Sequence, residues 1–81
     1  MARMELGTSD EYSNITPSDS TNMTVTGRAF WIGTGGDVNI ARPIDGTSFV
    51  FRNAPSGYLL PVSGIRVNAT GTTASNIVVL P

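Results

Sequence analysis

RAFWIGTGGDVNIAR, residues 28–42, holds two candidate strands with a run of glycines between them, and its reading decides the fold class of the chain. Arg28 to Ile32 is aromatic and branched and is bounded by glycines, which suits a pleated strand. Asp37 to Arg42 alternates, with Val38 and Ile40 on one face and Asp37 and Asn39 on the other. Gly33-Thr34-Gly35-Gly36 permits a tight reversal, so the segment predicts a β-hairpin.

The same grammar extends in both directions. Thr24-Val25-Thr26 predicts a short strand upstream. Downstream, Pro43 ends the second strand and Asp45-Gly46 turns the chain into Ser48 to Asn53, where Phe49 and Phe51 share a face. Ala54-Pro55-Ser56-Gly57 has the Pro and Gly placement of a β-turn. Tyr58 to Val62 follows, and Pro61 inside it cannot donate to a ladder, so this is an edge strand or a bulge. Gly64 to Thr70 sets Ile65, Val67 and Ala69 against Arg66, Asn68 and Thr70. Ile77 to Leu80 is apolar on both faces, which predicts burial on both sides, centrally in a sandwich or beneath a neighbouring subunit. Seven short strands with no helical period predict an all-β chain: a small antiparallel sandwich or barrel.

Residues 1–22, MARMELGTSDEYSNITPSDSTN, are polar and aperiodic and read as an extended N-terminal arm preceding a single β domain over residues 23–81. Alone, such an arm is expected to be disordered, and a neighbouring subunit is the simplest clamp for it. An 81-residue chain buries only a small core, and without Cys or His it has neither disulfides nor the commonest structural zinc ligands. Oligomerisation is the remaining device. Only 14% of residues are charged and none is Lys, a surface that suits coverage by neighbours.

Composition also excludes function classes. Imidazole acid-base chemistry, Cys nucleophiles and Lys Schiff bases are absent. Asp37 and Asp45 are the candidates for a paired-carboxylate site, but turn Asp is favoured for local backbone hydrogen bonds alone. The GTGGD segment lacks the helix and Lys of a phosphate-binding loop. No ligand spacing for Ca²⁺ is present, so no catalytic, cofactor or metal residue is assigned. A net charge of -1 gives no basic field for nucleic acid, and no apolar run approaches the roughly 18 residues of a membrane span. Met1 to Tyr12 lacks the apolar centre of a secretory signal, so synthesis in the cytoplasm is expected and the N-x-T triplets at Asn14, Asn22 and Asn68 read as turn and strand composition. Trp31, Tyr58 and Tyr12 would form a sugar-stacking platform if exposed together, which keeps a carbohydrate-binding module as the alternative to an assembly protein.

Four segments together carry a family likeness: ITPSDS (15–20), RAFWIGTGGDVNI (28–40), FRNAPSGYLLPV (51–62) and IRVNATGTTASNIVVL (65–80). In this order the chain resembles the spike-base proteins of gene transfer agents and related tailed bacteriophages. The resemblance implies a structural virion protein, not an enzyme: the oligomeric base of a head spike, seated outside the capsid at a vertex and attaching a fibre. It implies a homo-oligomer, a pentamer following the vertex symmetry, with the major capsid protein and a spike fibre protein as partners and no nucleic acid, membrane or cofactor. A capsid decoration or cement protein is the related alternative. By the same analogy Ile15, Pro17 and Asp19 of the arm, with Arg28, Trp31, Arg52 and Arg66, are the candidate interface residues, Trp and Arg being favoured anchors. Pro61, Gly57 and Gly64 flank the predicted edge and favour closed rings over open fibres.

Overall fold

The computed structural model describes residues 12–81, so Glu5, Asp10, Glu11 and the start of the arm lie outside the described residues. Seven strands follow one another: β1 (Ser13–Asn14), β2 (Ala29–Thr34), β3 (Gly36–Ala41), β4 (Ser48–Ala54), β5 (Tyr58–Leu60), β6 (Arg66–Asn68) and β7 (Ser75–Leu80). They form two antiparallel sheets, of order β1-β7-β2-β5 and β4-β3-β6. Alternation sends Phe30 and Ile32 of β2, Ile77 and Val79 of β7 and Leu60 of β5 inward against Val38 and Ile40 of β3 and Val67 of β6. The fold is the all-β sandwich expected of these periodicities, and no helix occurs among the described residues.

The predicted β2–β3 hairpin does not form. A single residue, Gly35, separates the two strands, and they belong to different sheets. The glycines serve a corner instead of a reversal: a Cβ on Gly35 would stand 2.4 Å from the Ala54 carbonyl oxygen and 2.8 Å from the Ser56 nitrogen. Only a residue without a side chain lets the two backbones meet there. The second crossing between sheets, from β4 to β5, is the predicted turn at 54–57, with Gly57 at φ +71 and its N–H donating to the Ile32 carbonyl at 2.7 Å.

Thr24 to Thr26 is not a strand either. Met23 N–H donates to the Ile65 carbonyl at 2.8 Å and Gly27 bridges Gly64, so this stretch carries the chain from the edge of one sheet to the start of β2. The seventh strand is β1, in the arm, where Ser13 pairs with Val79 and Asn14 with Val78. Beyond it the arm crosses to the other sheet: Ile15 N–H donates to Ile77 O at 2.8 Å and Ser18 N–H to Val67 O at 2.9 Å. The expected clamp on residues 12–22 is thus supplied within the chain, closing the sandwich on its β1/β6 side. The opposite side, between edge strands β4 and β5, has no such strap among the described residues.

The expected edge and the expected central strand are found, whereas the burial expected on both faces of the last strand is complete on one face only. β5 ends at Leu60, immediately before Pro61, at the edge of its sheet. β7 lies between β1 and β2, with Ile77 and Val79 buried and Val78 and Leu80 half-buried on the other face.

Candidate assembly surface

The seven residues assigned from the sequence fall in three places. Ile15, Pro17, Asp19 and Arg66 belong to the arm and the β6 edge beneath it. Ile15 packs against the core. Asp19 accepts from the Thr70 N–H at 2.9 Å and from its hydroxyl at 2.7 Å. Arg66 donates through Nε to Asn68 Oδ1 at 2.6 Å and through Nη1 to Asn22 Oδ1 at 2.7 Å, so the guanidinium ties arm to strand.

The Thr70 amide and hydroxyl hold the Asp19 carboxyl below its ordinary pKa, because both stabilise the charged form. A depressed folded pKa contributes stability above the unfolded value of about 3.9, which is lost as pH falls through the folded value. The arm is therefore expected to stay attached at neutral pH and loosen in acid below about pH 4. Amide exchange at Thr70 reads this directly: Asp19→Ala should accelerate it at neutral pH and flatten its acid dependence, whereas unchanged exchange would remove Asp19 as the tether.

Trp31 occupies a second place. It points away from the core, 42% exposed, opposite Leu59 on one neighbouring strand and Val78 on the other. Leu59, itself 45% exposed, completes an apolar row across β5, β2 and β7. Ala29 and Leu80 form the next row, since they pair in the same register. At its end Arg28 donates through Nε to the Pro81 carbonyl at 2.9 Å, fixing a cation at the rim. Such an apolar centre with a polar margin has the composition of a protein interface.

Arg52 marks the third place, on β4, where it reaches Asp37 at 3.2 Å with its side chain 72% exposed. Nearby, at the open side of the sandwich between the edges of β4 and β5, lies a shallow groove of about 400 Å³ lined by Phe51, Arg52, Ala54, Pro55, Tyr58 and Leu60. Sequence reading missed Leu59 and this groove, and reached Val78 only through the second apolar face of the last strand. Ile44, 85% exposed at the β3–β4 hairpin tip, was also missed. The tip is braced by Arg42, which donates twice to Asp45 at 2.8 Å and lies 5.1 Å from the Phe49 ring centroid.

Among the described residues the two candidate carboxylates, Asp37 and Asp45, are engaged separately. Asp45 is held well below the carboxylate range by Arg42 and the Thr47 amide, and Asp37 accepts from Arg52 and from Asn53 N–H at 3.0 Å. The strand from Asp37 to Ala41 alone spans about 13 Å before the hairpin begins, so the two carboxylates do not share a site. In the glycine corner Gly35 N–H is taken by Ser56 Oγ and Asp37 N–H by Thr73 Oγ1, which leaves those amides unavailable to an anion. Among the described residues no cluster of acidic or other ligating side chains could hold a metal ion. The three candidate aromatics do not all share one face: the register of β1 puts Tyr12, 64% exposed, on the Trp31 side. Tyr58 pairs with the buried Ile32 and shares its face of the sheet, opposite to that of Trp31.

No protein-family model and no curated protein sequence matches the chain. A solved structure does: a chain in the capsid of a native gene transfer agent (GTA) particle computed with C5 symmetry, with a TM-score of 0.84 and 35% sequence identity over 99% of this chain and 92% of that one. At that identity, over essentially the full length of both, the chain belongs to the family of this gene-transfer-agent capsid component.

Proposed function

We propose that the chain is a structural, non-enzymatic virion protein: the oligomeric base of a head spike on the capsid exterior, placed at a vertex and attaching a fibre. The likeness to a component of a gene-transfer-agent capsid, 35% identical over 99% of this chain, supports the virion role, and the resemblance of residues 15–20, 28–40, 51–62 and 65–80 to spike-base proteins supports the finer position. A chain with 14% charged residues and an exposed apolar row through Trp31 fits a protein used in contact with others. Its contacts would be with further copies of itself in a pentamer, with the major capsid protein and with the fibre protein. Trp31 with Leu59 is the apolar anchor of one such contact, Arg28 its rim; Arg52 serves a second, and the arm with Ile15, Pro17, Asp19 and Arg66 a third.

Native mass spectrometry of the purified chain over a concentration series tests the reading. A closed pentamer supports it, as does recovery of the tagged chain in purified particles at five copies per decorated vertex. A monomer that is absent from particles would overturn it.

A further inference from the structure

The two open sides of the sandwich are treated differently. On the β1/β6 side the arm crosses between the sheets. On the β4/β5 side two edge strands and the groove they enclose have no covering segment among the described residues. We propose that residues 1–11 of a neighbouring copy cover this side, adding Met4-Glu5-Leu6 to the free edge of β5. The inference rests on the oligomeric reading above and deepens it by naming the site at which the arm engages its neighbour.

Three observations select this occupant. The first is length: eleven residues precede Tyr12 and reach about 36 Å when extended, as far as the longest dimension of the described molecule, 36 Å. The described chain begins beside β1, the edge of the four-stranded sheet opposite to β5, so a segment leaving one copy meets the complementary edge of the next. Joining two different edges is a heterologous contact, which forms a ring where the rotation between copies closes and a filament where it does not.

The second is charge. Residues 1–11 carry Arg3 against Glu5, Asp10 and Glu11, a net charge of -2. The groove's charged side chain is Arg52, largely exposed and held to Asp37 by one contact at 3.2 Å. The third is pattern. Met4 and Leu6 lie two apart in sequence, so if paired as a strand along β5 they would share the face toward Phe51, Tyr58 and Leu60, and Glu5 between them would sit at the rim. Main-chain pairing along β5 would supply the affinity and the two apolar side chains the register.

The chain contains no cysteine, so an engineered pair is free of competing thiols. Leu6→Cys with Tyr58→Cys, oxidised at low micromolar concentration and run without reductant, should give a ladder of linked copies that collapses on reduction. The same full chain carrying Leu6→Cys with Ser20→Cys should not. A single-copy product with an internal disulfide would mean that the segment folds back on its own chain, and this overturns the proposal, as does the absence of linkage. Deleting residues 2–11 should raise the concentration at which the oligomer dissociates by tenfold or more. An oligomer that persists unchanged after this deletion, with no linkage, removes the arm from the groove but leaves the spike-base reading standing; a full chain that is monomeric and missing from particles removes both.

Discussion

Phe30→Ala is expected to leave no cooperatively folded domain. The ring is fully buried near the start of β2, and Gly27 and Gly64 lie directly against it: a Cβ at either position would come within 2.9 Å of its Cζ. Truncating a buried Phe costs about 3–5 kcal/mol, and a core of this size supplies no more than about 3–5 kcal/mol of net stability. The two are equal within their scatter, so the folded fraction should collapse. Far-UV circular dichroism through a urea titration at fixed protein concentration measures this, concentration being held because assembly adds stability of its own. Gly64→Ala probes the same contact from the other side: its new methyl would stand 2.5 Å from Ile40 Cγ2, and the crowding should cost about 1–3 kcal/mol. A cooperative transition with an unshifted midpoint in both variants would mean that the Phe30 ring does not seal this end of the core.

The local chemistry of the chain was readable; the long-range pairing was not. Pro61 stops β5 because a missing N–H acts wherever it sits, and Asp45-Gly46 turns the β3–β4 hairpin because its dihedral and side-chain demands are met within a few residues. The glycines at 33–36 allow either a reversal or a corner. What decides is the approach of Ala54 to Ser56, some twenty residues further along, which no local pattern encodes. β1 was illegible for a related reason. Ser13-Asn14 has no alternating apolar residues, and it is a strand only because β7 offers it an edge. Asp19 and Thr70 are fifty-one residues apart, so their tether was likewise invisible in sequence.

The candidate surface divides along the same line. Trp31 could be singled out by type, being the only tryptophan, but its apolar partners Leu59 and Val78 depend on a register that only the folded sheet fixes. The doubly apolar β7 was the one trace of that face in the sequence: its second set of side chains, Val78 and Leu80, is half-buried in the single chain and remains available for further cover.

Trp31→Ala should separate assembly from folding, one residue away from the substitution that destroys the fold. Phe30 and Trp31 alternate across β2, so the first loss empties the core while the second strips the outer face. At 42% exposure Trp31 contributes only part of its area within the chain, and its removal should lower the urea midpoint by an amount corresponding to about 1 kcal/mol. At an interface, a central Trp is worth about 2 kcal/mol or more, which raises a dissociation constant about thirtyfold. In a closed ring every copy forfeits that contact, so the oligomer should disappear at concentrations where the unaltered chain is fully assembled. Native mass spectrometry and urea titration on one preparation distinguish the outcomes. A folded monomer places the assembly contact on the Trp31–Leu59 row; an intact oligomer assigns that row to the capsid or fibre and leaves ring closure to the arm and the β4/β5 side. Folding and assembly lost together would mean instead that the outer face is as necessary to the single chain as the core.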